Sequence, residues 1–162
     1  MIVVSDTSAV LNLARIGRLE LLRLLYQQVL IPSAVSLELS DSRNDLPPAV
    51  DLASMPWLIV ASATDRNRVQ ELREELDAGE AEAIVLAIER RADILLVDER
   101  RARKTATAAG LAVTGLIGVV ARAKRDGLID LAKPVLDELI QTARFWIGPD
   151  LYREVLQKLG EA

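Results

Sequence analysis

Four acids in this chain stand beside apolar runs rather than in solvated stretches: Asp6, Glu38, Glu80 and Asp98. Asp6 ends the run "VVS", and two hydroxyl residues, Thr7 and Ser8, follow it. Asp98 ends the run "ILLV". Glu80 opens the long apolar segment of "DAGEAEAIVLAIERRAD", and Glu38 lies between Leu37 and Leu39. Carboxylates brought together repel one another unless a cation sits among them. The chain has no histidine and no cysteine, so the ligands on offer are hard oxygens, which suit Mg²⁺ or Mn²⁺. Such an ion lowers the pKa of bound water and stabilises charge on a phosphoryl oxygen. The chemistry this points to is phosphodiester hydrolysis without a histidine.

The elements that must position these acids follow from periodicity. Residues 2–5, 29–31, 58–61, 94–97 and 112–114 read as short strands, mostly apolar and closed by turn residues. Helical patterns fill the intervals: 9–14 and 19–25 with Gly17 between them, 33–39 with Ser33 as its cap, 65–76, 79–90, 99–109 closed by Gly110, 118–125, 133–142 and 150–159. Residues 40–48, ending in Pro-Pro, read as a loop. Strands alternating with helices imply an α/β fold, a three-layer α/β/α sandwich around a mostly parallel sheet. In such sheets ligands bind beyond the carboxyl ends of strands, where the strand order reverses. Asp6 and Asp98 both follow strands, so they are expected to meet at one such edge, with Glu80 opening a helix beside them.

Composition narrows the alternatives. At 162 residues the simplest organisation is one domain over 1–162, with the helices of about 133–162 appended to it. The core is aliphatic, since 51% of residues are hydrophobic and only 3% aromatic, which argues against an all-β sandwich. The absence of histidine removes Ser–His triads and His-ligated zinc. A formal charge of -4 argues against a passive nucleic-acid coat, which would be basic. No apolar stretch approaches the roughly 20 residues of a membrane span, and no secretory leader pattern is evident. The expectation is a cytoplasmic protein with no membrane contact.

The chain resembles the PIN-domain nucleases, in particular the small stand-alone or toxin-type PIN-like proteins of bacteria and archaea. The resemblance rests on "VVSDTSAVLNLARIGRLELL", "VLIPSAVSLEL", "LDAGEAEAIVLAIERRADILLVDERRAR" and "GLAVTGLIGVVARAKRDGLI". It implies four acidic positions, matched here by Asp6, Glu38, Glu80 and Asp98, with Asp6, Glu80 and Asp98 as metal ligands. Thr7 or Ser8 matches the small polar group that orients the first acid or a bound water. The third position departs from the pattern, carrying Glu where Asp is commoner in toxin-type members. The resemblance further implies a Mg²⁺- or Mn²⁺-dependent endoribonuclease acting on single-stranded RNA. It also implies service as the toxin of a toxin–antitoxin pair with an antitoxin protein as partner, or as a homodimer. The faces at 19–25 and 119–131 are candidates for those contacts. A catalytically silent PIN-fold module binding RNA or protein is the alternative.

Each motif also has a plainer reading. Asp6 is a competent helix cap, and Thr7 and Ser8 can cap as well. Glu82 suits a helix N-terminus and points about 200° from Glu80 on a helix, so one site cannot readily use both. Glu99 reads as a first-turn residue. The basic run "RRARK", with Arg100, Arg101, Arg103 and Lys104, is either a solvated face or an RNA-binding rim beside Asp98. Trp146, in "ARFWIGPDLY", is expected to pin the terminal helix to the core, with stacking on a base as the other use. Haloacid-dehalogenase-type phosphatases also follow strand one with Asp, but they need a second acid two residues on, where Ser8 stands.

Overall fold

A computed structural model describes residues 1–41 and 51–162, so most of the expected loop at 40–48 lies outside the described residues. The strands are β1 (Val3–Ser5), β2 (Val29–Pro32), β3 (Leu58–Ala61), β4 (Ile94–Leu96) and β5 (Val113–Thr114). The helices among the described residues are α1 (Thr7–Arg15), α2 (Glu20–Tyr26), α3 (Ser33–Leu39), α4 (Arg66–Leu72), α5 (Ala78–Glu89), α6 (Arg100–Ala108), α7 (Leu116–Arg125), α8 (Ala132–Gln141) and α9 (Pro149–Lys158). A short 3₁₀ turn at Leu52–Ser54 precedes β3.

The five strands pair in the order β3-β2-β1-β4-β5, and every pairing is parallel. Strands β1 to β3 run outward on one side of β1, and β4 and β5 lie on the other. The order therefore reverses between β1 and β4, where Val3 to Ser5 register against Ile94 to Leu96. Crossover helices cover both faces, giving the expected α/β/α sandwich. Alternation along the strands divides the core in two. Val3, Ile31 and Leu96 pack with α1, α2, α7 and α8. Val4, Leu95 and Val97 pack with α5 and α6 on the opposite face. The terminal helices join the first of these cores through Leu136, Leu139 and Leu156.

Three expectations are corrected. The leucine-rich face at 19–25 is spent largely inside the molecule: Leu19, Leu21 and Leu22 are buried, and Leu24 is the large exposed side chain there. The face at 119–131 is likewise internal at Val119, Val120, Ala121 and Ala123, with Leu131 exposed. These residues face the sheet because the crossover helices need an apolar stripe there. Ser33 is also not a cap. Pro32 occupies that position without a side-chain bond, and the Ser33 hydroxyl donates instead to Glu82 Oε1 at 2.8 Å.

Candidate active site

The switch point between β1 and β4 sets the site. The Asp6 N–H donates to the Leu96 carbonyl at 3.0 Å, so the backbone ladder runs one residue past β1 and delivers the Asp6 side chain at the carboxyl edge of the sheet. There Asp6 caps α1, its Oδ1 accepting from the Ser8 N–H at 3.0 Å. Capping and site formation are thus one geometry. Asp6 is only 3% exposed. Burial, then the nearby negative charges of Asp98 and Glu80, push its carboxyl well above the usual range, as expected for like charges in a dry setting.

Asp98 lies just beyond β4. Its Oδ1 accepts from the Leu116 N–H at 3.0 Å, which caps α7 from eighteen residues away. That remote cap starts α7 two residues before Gly118, the start expected from sequence. Its Oδ2 is buried with no hydrogen-bond partner among the described residues. Burial raises the Asp98 pKa. The Leu116 N–H, the Arg103 charge and the Ser8 hydroxyl, which lies outside hydrogen-bonding geometry, oppose that rise only in part. Gly115 permits this arrangement: a Cβ there would stand 2.5 Å from Asp98 Oδ1 and 2.7 Å from Arg103 Nη1.

Glu80 enters from α5. Asp77 caps that helix, and a capping box ties the two acids: Glu80 N–H to Asp77 Oδ1 at 2.8 Å and Asp77 N–H to Glu80 Oε1 at 3.1 Å. Burial and the neighbouring Asp77 push the Glu80 pKa up to about 7, with Glu99 adding to the rise. Glu38, late in α3, accepts a short hydrogen bond from the Thr7 hydroxyl. Its carboxylate packs against bare backbone, since a Cβ on Gly79 would lie 2.9 Å from its Oε1. Thr7 therefore positions the second acid, while Ser8 serves the first through its backbone. Asn12, one turn on, bonds the Ser8 carbonyl and hydroxyl at 2.9 and 3.1 Å.

Asp6, Thr7, Ser8, Asn12, Glu38 and Glu80, with Leu11, Asp77 and Glu99, line a cleft of about 330 Å³. Asp98 instead lines an adjoining cavity with Arg100 and Arg103. Glu82 is directed away from both. It is 1% exposed and accepts from the Ser33 hydroxyl and the Ala34 N–H, both at 2.8 Å, from the Ala63 N–H at 3.3 Å and from Arg66. Burial raises its pKa, but these four donors outweigh it and hold the group below the usual range. Glu99 caps α6 through the Ala102 N–H at 2.9 Å and stands at the cleft rim.

The basic run divides. Arg103 turns inward, donating to the Val97 carbonyl at 3.3 Å. Arg101 donates to the Glu75 carbonyl at 3.3 Å and, with Arg100 and Lys104, lines a second surface cavity. Trp146 overturns its expectation: it is 82% exposed. Its neighbours Phe145 and Ile147 pack against the core instead, so alternation along the segment turns the indole outward.

Sequence reasoning missed Asp77 and Asn12. The pattern Asp-x-x-Glu ahead of an apolar run carried the first, as a capping box. A lone amide in an otherwise apolar helix carried the second.

A family model for the PIN domain matches residues 2–161, and the chain belongs to that family. The PIN domain is a nuclease-type fold, whose substrate is nucleic acid and whose members generally use divalent metal ions. No curated protein and no solved structure matches the chain. No helix among the described residues is long and apolar enough to cross a membrane.

The donors at this edge suit a hard divalent cation: the cleft is all-oxygen and acidic, and Asp98, whose Oδ2 is buried with no partner among the described residues, lines the adjoining cavity. Among the described residues, no three acidic side chains stand together closely enough to hold an ion.

Proposed function

We propose that this PIN domain is a Mg²⁺- or Mn²⁺-dependent endoribonuclease whose catalytic acids are Asp6, Glu38, Glu80 and Asp98. One observation carries the reading. Asp6, Glu80 and Asp98 are held at one edge of the sheet with their carboxyls raised, and the Asp98 Oδ2 is left buried without a donor. Native structures rarely leave a buried polar atom unsatisfied, and the exceptions mark strain, catalysis or an ion. Burial is the first cause of the rise at all three carboxyls, and a divalent cation would favour their charged forms against it.

Asp6, Glu80 and Asp98 would hold that ion, which when bound supplies a low-pKa water and charge stabilisation at phosphorus. The chain's own residues do the rest. Ser8 and Asn12 brace the first turn of α1 and so the Asp6 carboxylate. Thr7 fixes Glu38 across the cleft, where it completes the acidic wall. Along α6, Arg100 and Arg103 line the cavity of Asp98 and Arg101 and Lys104 the cavity next to it, and the four bind the RNA backbone at its phosphates.

The test is cleavage of a single-stranded RNA in Mn²⁺ by the wild type and by Asp6→Asn and Asp98→Asn. Each substitution keeps the capping oxygen and removes the charge. Cleavage is expected to fall by at least ~100-fold while the far-ultraviolet dichroism is unchanged. Wild-type rates in either variant overturn the assignment.

A further inference from the structure

The cavity that adjoins the acidic cleft and is lined by Asp98 has a volume of about 620 Å³. Its walls are of two kinds. Arg100 and Arg103 stand on the α6 side, and Phe145 and Trp146 on the side of the segment joining α8 to α9. Gly115 also lines the cavity, and its lack of a side chain lets Asp98 and Arg103 pack against its backbone.

The joining segment is firmly placed. Ala143 and Ile147 are buried, Phe145 packs on the core, and the Phe145 N–H donates to the Leu139 carbonyl at 2.8 Å. Arg144, two residues before the indole, takes the left-handed conformation, φ 57°. Of the apolar side chains of this segment, Trp146 is the exposed one. The edge of its ring rests over Gly148, where a Cβ would meet it at 3.4 Å, and the ring is otherwise in solvent. Water-exposed indole is a poor use of the largest apolar side chain, and this one is presented by a braced turn rather than a loose end.

We propose that Trp146 is a stacking platform for a base of the substrate strand, next to the phosphate that lies at Asp98. This rests on the ribonuclease reading above and adds to it a binding residue and a strand requirement. The occupant follows from the chemistry of the walls. Guanidinium groups at Arg100 and Arg103 suit phosphate oxygens, and an exposed aromatic face suits any nucleobase. A base can reach the indole only when it is unstacked from its neighbours, so the strand at this position is single. Stacking tolerates all four bases, so Trp146 contributes affinity and register without setting sequence.

The experiment compares wild type, Trp146→Ala and Trp146→Phe on an eight-nucleotide single-stranded RNA. Steady-state cleavage in Mn²⁺ gives KM and kcat. Anisotropy in the Asp6→Asn background gives binding to the same RNA and to an abasic ribose–phosphate chain of equal length. The expected result is a KM and a binding constant weakened at least ~5-fold for Trp146→Ala, with kcat nearly kept, largely restored in Trp146→Phe. The abasic chain binds equally with and without the indole.

Equal RNA binding by Trp146→Ala and wild type overturns the platform while leaving the ribonuclease reading intact. So does an equal loss for RNA and the abasic chain, or a change in solution mass on substitution, which would place Trp146 in a contact between proteins. Wild-type protein that neither binds nor cleaves RNA overturns both readings.

Discussion

Glu80 and Glu82 are two residues apart on the first turns of one helix, and both are buried. Their surroundings treat them in opposite ways. Glu82 has four donors from three elements, and its carboxylate is held below the usual range. Glu80 shares its space with Asp77, Asp6 and Glu99 and is raised to about 7. Burial opposes ionisation in both, so burial is not what separates the lowered acid from the raised one. The difference is whether the fold supplies donors to offset desolvation. Where it does, the acid fastens α5 to α3 and to the turn after β3. Where it supplies only the Asp77 N–H, among further acids, the carboxyl is raised.

Substitutions that exchange these situations give the largest effects on the fastening side. Glu82→Ala leaves the Ser33 hydroxyl and the Ala34 and Ala63 N–H groups without an acceptor and opens a void. At about 1–3 kcal/mol for each buried group left unpaired, urea unfolding is expected to show a loss of roughly 3 kcal/mol or more. Arg66 is 59% exposed at its side chain and contributes little of this. A loss below about 1 kcal/mol would show that the donors find water instead.

The cleft side responds more gently in stability and more sharply in function. Gly79→Ala adds a methyl 2.9 Å from Glu38 Oε1. The carboxylate can swing aside, and alanine is the better helix former by about 1 kcal/mol, so stability is expected to change by less than about 1 kcal/mol. The displaced Glu38 should lower cleavage by up to roughly 10-fold, measured as kcat on a single-stranded RNA. Unaltered kcat would remove Glu38 from the working site.

Much of this was legible from residue order, for physical reasons. Short apolar runs closed by turn residues mark buried parallel strands, so all five strands were placed to within a residue at either end. Helical spacing separated Glu80 from Glu82, which lie on different sides of α5. What stayed hidden depends on partners distant in sequence. The start of α7 is set by Asp98, eighteen residues earlier. Ser33 looked like a cap because nothing local reveals that Glu82, forty-nine residues on, takes its hydroxyl. Trp146 was expected inside because large aromatics are most often buried. The left-handed turn at Arg144 and the alternation of Phe145 and Ile147 decide otherwise.

The contrast within α5 is tested most directly by thermal unfolding of wild type and Glu80→Gln between pH 4.5 and 8, with and without Mn²⁺. In metal-free wild type, folded Glu80 keeps its proton up to about pH 7, whereas the unfolded chain releases it near the ordinary value of 4.5. The native state therefore binds more protons across that window, and stability falls as pH rises through it. The account predicts that Tm declines more steeply from pH 4.5 to 7 in wild type than in Glu80→Gln. It also predicts that at pH 8 Mn²⁺ raises the wild-type Tm by more than that of the variant. Parallel pH profiles, together with equal shifts on adding Mn²⁺, would contradict it.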